Sequence, residues 1–189
     1  MARAYANRSV LLIALVLSAC RPAGPAPGGP PIAYIDLLET LPSAERRARP
    51  PVDTAIRIDL VGPSGDLRPA LVTSTPARVT WSTRLPSRAR LETAILLADD
   101  GHGARSASAT ARIGISDDRR YEQLANIPLD GAAQPRVWQT VTVDLGGYSG
   151  WQWSLFYRPW ERTWRLIFSA DGEPGGHLAW ARPLIRQGS

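Results

Sequence analysis

Val137 to Tyr157 reads VWQTVTVDLGGYSGWQWSLFY. Val137, Gln139, Val141, Val143 and Leu145 fall on one side of an extended chain, and Trp138, Thr140, Thr142 and Asp144 on the other. That is the period of a β-strand, whose successive side chains point to opposite faces. Gly146 and Gly147 interrupt the run, because adjacent glycines accept the left-handed backbone of a tight turn. After Tyr148-Ser149-Gly150 the alternation resumes, with Trp151, Trp153, Leu155 and Tyr157 on one face. A hairpin this apolar needs a second sheet to cover it, so the stretch predicts a β-sandwich.

The flanking sequence extends the same pattern. Ala55 to Val61 alternates Ile56, Ile58 and Leu60 with Arg57 and Asp59 before the turn Gly62-Pro63-Ser64-Gly65. Leu71 and Val72 begin an extended segment, and Arg78 to Thr83 carries Val79 and Trp81 on one side. Further strands are predicted over Arg90 to Leu97, Ala109 to Ile115, Tyr121 to Ile127, Trp164 to Phe168 and Leu178 to Ile185. With the hairpin this makes eight or nine short strands and no helix long enough for a βαβ crossover. The expectation is an all-β, antiparallel sandwich or jelly roll over residues 53–186.

Composition fits one such domain. The chain has 189 residues, 44% of them apolar, which suffices for a sizeable core. Its formal charge is +5, and every basic residue is arginine. Arg46, Arg47 and Arg49 form a cluster and the rest are dispersed, which speaks against nucleic-acid binding.

The N-terminus has a different character. Arg3 and Arg8 precede a short apolar core, Val10 to Leu17, too short to remain as a membrane-spanning helix. Leu17-Ser18-Ala19-Cys20 follows and resembles a bacterial lipoprotein lipobox. The resemblance implies a signal peptide over residues 1–19, cleavage before Cys20 and lipid attachment to its thiol. Arg21, in place of an aspartate, then implies the outer membrane. Cys20 is the one cysteine of the chain, so no intrachain disulfide forms. Residues 20–31 are a proline- and glycine-rich tether that holds the domain off the membrane. Ile35, Leu38 and Leu41 then recur at helical spacing, which predicts a short helical segment within 32–48, ended at Pro42 and packed on the sandwich.

The run of motifs resembles the galactose-binding-like jelly-roll modules that accompany bacterial glycoside hydrolases and sulfatases. The residues that carry it are Trp81 with Leu85-Pro86, Trp138 with Val143-Asp144-Leu145, Tyr148-Ser149-Gly150, and Trp180-Ala181-Arg182-Pro183-Leu184-Ile185. Gly146-Gly147 replaces the serine-containing pair usual at that turn. The resemblance covers about Asp53 to Ile185 and implies a non-catalytic module, often one that binds carbohydrate.

Seven tryptophans offer flat faces for sugar rings, or simply fill a core. Trp81, Trp138 and Trp180 read as packing residues, and Trp153 and Trp164 alternate inward with Leu155, Leu166 and Phe168. Trp160 differs, because it lies in the polar connection Arg158-Pro159-Trp160-Glu161-Arg162-Thr163. It is the first candidate for ligand contact and Trp151 the second. Arg158, Glu161 and Arg162 are candidate partners for sugar hydroxyls or an anionic glycan.

The pairs Asp99-Asp100 and Asp117-Asp118 offer adjacent carboxylates suited to a structural calcium ion, and are equally turn sequences. His102 and His177 both sit in glycine-bearing loops, and neither a G-x-S-x-G elbow nor H-E-x-x-H occurs. The expectation is a lipid-anchored envelope protein whose sandwich binds glycans without catalysis. The alternative is a structural or assembly lipoprotein that docks another envelope protein through a sandwich face.

Overall fold

The computed structural model describes residues 34–49, 51–98, 108–131, 136–148 and 163–188, all within the unit Ile32–Ser189. They form two antiparallel sheets packed face to face. In the first, β3 (Ile56–Val61), β4 (Arg68–Ser74), β11 (His177–Gln187), β6 (Ala89–Ala98) and β9 (Gln139–Asp144) lie in that order, and β1 (Tyr34–Asp36) pairs with the far half of β11. In the second the order is β2 (Glu45–Ala48), β5 (Ala77–Thr83), β10 (Trp164–Gly172), β7 (Ala109–Ser116) and β8 (Tyr121–Leu129). The expected all-β sandwich is thus the observed one.

Alternation decides which side chains meet between the sheets. Leu71, Leu91, Ile95, Leu178, Trp180 and Ile185 come from the first sheet, and Val79, Trp81, Ile113, Ile115, Leu166 and Phe168 from the second. Trp81 meets Phe168 edge-on at 5.1 Å within the second sheet, and Phe168 meets Trp180 of the first sheet at 4.8 Å, so this phenylalanine bridges the sheets through one indole and is backed by the other. Both indole N–H groups are satisfied inside the core. Trp81 donates to the Leu37 carbonyl at 3.2 Å and Trp180 to the Thr73 hydroxyl at 3.2 Å. The tryptophans read as packing residues at 81 and 180 therefore lie in the core.

The quoted stretch holds its predicted faces as far as Tyr148. Val141, Val143 and Leu145 pack toward the core, while Trp138 lies on the opposite face. There it packs against the alanine-rich outer cluster of the first sheet, which includes Ala70, Ala94, Ala179 and Ala181. The alanines leave room for the flat ring. Its Nε1–H donates to the Asp66 carbonyl at 3.0 Å, and Arg68 stands 5.4 Å over the ring. Gly146 and Gly147 enter a 3₁₀ turn, Gly146–Tyr148, rather than a left-handed one, because the Asp144 carboxylate takes the Gly146 N–H at 2.8 Å. The predicted second strand, Trp151 to Tyr157, lies outside the described residues.

Within 32–48 the helical expectation is corrected. Tyr34–Asp36 pairs with β11, a 3₁₀ turn covers Leu41–Ser43, and Glu45–Ala48 pairs with β5. The Asp36 carboxylate accepts the Leu38 N–H at 2.8 Å, which captures a donor that a helix would need. Leu37 and Leu41 still bury, through the turn rather than a helix face. The two strands found in place of the helix raise the count to eleven among the described residues.

Candidate functional site

One end of the sandwich is built by the termini of several elements. Leu145 is fully buried and its N–H donates to the Ala89 carbonyl at 2.8 Å, which fixes where the chain leaves β9. The 3₁₀ turn then delivers Tyr148, whose ring meets Trp164 at the start of β10 edge to face, 5.2 Å between centroids. Both rings pack against the main core. Burial first, and then a hydrogen bond to the Glu122 carboxylate, push the Tyr148 phenol above its ordinary value.

The next residue is turned the other way. Arg165 points to the outer face of the second sheet, donating to Glu45 of β2 at 2.5 Å and to Asp118 of the β7–β8 turn at 3.1 Å. Asp117 shapes that turn, accepting the N–H groups of Arg119 and Arg120 at 3.1 and 2.8 Å. These two aspartates, read as a calcium option, are engaged in turn and ion-pair contacts. Among the described residues no group of three or more His, Cys, Asp or Glu is placed to hold a metal. Asp99 and Asp100 lie outside the described residues.

Trp151, Arg158, Trp160, Glu161 and Arg162 all lie in the segment 149–162, and Cys20 in the segment 1–33, both outside the described residues. What the structure brings together is the pair that brackets the first of these segments. The sequence places Tyr148 in a turn and Trp164 on an inward strand face, and carries no sign of the contact between them. Trp164 does point inward, half-buried. At the opposite end of the second sheet a cleft of about 310 Å³ is lined by Ser108, Thr110, Pro128, Asp130, Asp171 and Gly172. Its carboxylates are already engaged, Asp171 by Arg112 at 3.2 Å and Asp130 by the Ser108 hydroxyl at 3.4 Å. Among the described residues the one histidine is His177, whose Nδ1 is buried with no hydrogen-bond partner.

The chain matches no protein-family model and no curated protein. Its sandwich is similar to solved structures. One is CBM51 from Clostridium perfringens GH95 in complex with methyl-galactose, at TM-score 0.50 and 15% identity, covering 81% of this chain and 99% of that one. Another is the M60 catalytic domain with the CBM51-1 and CBM51-2 domains of Clostridium perfringens ZmpB, at TM-score 0.53 and 11% identity over 82% of this chain. The present chain spans 15% of that protein. A third is the K3 cleaved adhesin domain of Lys-gingipain from Porphyromonas gingivalis, at TM-score 0.50 and 12% identity, covering 83% of this chain and 98% of that domain. At these identities the likeness is one of fold. What is shared is the two-sheet antiparallel β-sandwich.

Proposed function

We propose that this protein is a lipid-anchored, non-catalytic glycan-binding module of the cell envelope. The observation that carries the reading is the Tyr148–Trp164 contact. It joins the two ends of a segment bearing Trp151 and Trp160 at one end of a sandwich whose fold neighbour was solved with methyl-galactose. A rigid scaffold presenting a loop with an aromatic side chain and flanking charged groups is a common way to hold a sugar. In this reading Trp160 stacks on the sugar, Trp151 assists, and Arg158, Glu161 and Arg162 hydrogen-bond its hydroxyls.

The anchor is a separate part of the proposal. Lipid on Cys20 and the tether behind it hold the domain at the membrane surface, and Arg21 directs it to the outer membrane. Labelled palmitate should enter the wild-type protein and not Cys20→Ser; equal labelling of both would remove the anchor from the account. A glycan array probed with the full chain tests the binding. Galactose-containing glycans should be retained, and a blank array together with stoichiometric capture of another envelope protein would favour the docking alternative.

A further inference from the structure

A row of side chains runs across all five strands on the outer face of the second sheet. Arg47 of β2 stands opposite Arg78 of β5, Arg78 opposite Ser169 of β10, Ser169 opposite Arg112 of β7, and Arg112 opposite Asn126 of β8. At a strand spacing of about 4.8 Å the row is about 19 Å long. The neighbouring row is low in its middle, where Thr80, Ile167 and Gly114 stand in register with the first and last buried, and it ends in the exposed Glu45 on β2 and Gln123 on β8. Beyond it stand Arg165 and Tyr121. The Tyr121 ring leans over Gly114, where a Cβ would lie 2.4 Å from the ring, and the tyrosine is still 52% exposed. The result is a short trough over Thr80 and Ile167, with arginines along one side, Arg165 on the other and the Tyr121 ring closing it over Gly114.

The charges in the trough are unevenly matched. Arg112 pairs with Asp171, Arg165 with Glu45 and Asp118, and Arg47 with Glu45. Arg78 donates to the Ser169 hydroxyl at 3.3 Å and pairs with no carboxylate among the described residues. It also faces Arg47 directly, and like charges directly opposed on a sheet repel. An anion seated between the two guanidinium groups would relieve that repulsion and gain charge-assisted hydrogen bonds.

We propose that this trough binds an acidic glycan, a linear chain of pyranoses carrying carboxylate or sulfate groups. The chain lies across the strands, with an acid group on Arg78 and Arg47 and a sugar ring on Tyr121. The mixture of groups selects a glycan over a denser polyanion. Sugar hydroxyls both donate and accept, so Glu45 and Asn126 serve them as well as the arginines do. A nucleic-acid backbone or an anionic bilayer offers phosphate after phosphate, a denser negative charge that the interspersed carboxylates repel. The site uses none of the residues 149–162.

Calorimetric titration of the full chain with polygalacturonate tests the proposal, with neutral galactan and phosphatidylglycerol vesicles as comparisons. Polygalacturonate should bind, more weakly as salt is raised. Arg78→Gln should weaken it about tenfold, the effect of losing one charge-assisted contact. Tyr121→Ala should also weaken it, while Trp160→Ala leaves it unchanged. Arg78 and Tyr121 are exposed, and superimposable thermal melts establish that both variants fold. The proposal is overturned by absence of polygalacturonate binding, by unchanged binding in Arg78→Gln, or by equal binding of galactan. Tighter binding to the vesicles would assign the arginine row to a membrane surface instead, and loss of polygalacturonate binding in Trp160→Ala alone would assign the ligand to the loop.

Discussion

The rings of Tyr148 and Trp164 meet with centroids 5.2 Å apart and planes at 78°, so the last residue of the 3₁₀ turn after β9 and the first residue of β10 touch. Edge-to-face contact adds to the area the rings bury, by about 0.5–1.5 kcal/mol. Tyr148→Ala should therefore lower stability to chemical denaturation by about 1–2 kcal/mol. It should also weaken any ligand held by the segment that the pair brackets. Unchanged stability in this variant would show that the contact holds nothing.

The same tyrosine carries a pH signature. Burial and the Glu122 hydrogen bond favour its neutral form, so its folded value lies above the ordinary 10.0. A raised value means the folded protein keeps a proton that the unfolded chain gives up. The stabilisation is complete below pH 10 and is lost as the pH rises through the folded value. Unfolding curves collected above pH 10 should fall more steeply for wild type than for Tyr148→Phe, which keeps the ring and lacks the phenol.

Phe168 packs on Trp81 in its own sheet and crosses to Trp180 in the other. It is buried to 1%, and removing its ring leaves a cavity lined by two indoles whose positions are fixed by hydrogen bonds. Phe168→Ala should cost about 3–5 kcal/mol, whereas Phe168→Leu should cost distinctly less. Urea titration of the two variants separates them.

On the outer face of the first sheet, Gly62 is the position that admits no side chain. Its φ is +149°, and a Cβ there would stand 2.2 Å from the Asp66 carbonyl oxygen that accepts the Trp138 indole. Gly62→Ala should cost about 2 kcal/mol and loosen Trp138. Acid acts on the same loop. The hydrogen bond from Arg68 holds the Asp66 carboxyl below its ordinary 3.8, so the bridge contributes above that pH and is lost as the pH falls through the folded value. The emission change of wild type over Trp138→Phe should appear below pH 3.8 and be absent in Asp66→Asn.

The strands were legible because alternation is local and strong. Val141, Val143 and Leu145 face the core as their spacing predicts, and Trp138 takes the other face. The segment with Ile35, Leu38 and Leu41 was misread because apolar spacing does not see hydrogen-bond partners. The decisive facts there are the Asp36 side chain and the register shift in β11 between Ala181 and Leu184, beyond which β1 finds a place to pair. The Tyr148–Trp164 contact and the Arg47–Arg78–Ser169–Arg112–Asn126 row join residues far apart in the chain. They become visible once strand order and register are known. Trp160 was singled out by its polar neighbours, a cue that selects a residue without placing it.

Calorimetric titration of the full chain with a β-linked galactose oligosaccharide, in wild type and Trp160→Ala, tests the central claim most directly. Wild type should bind saturably and the variant should lose at least tenfold, the scale of one lost stacking contact. Absence of binding by wild type, or equal affinity in the variant, would contradict it.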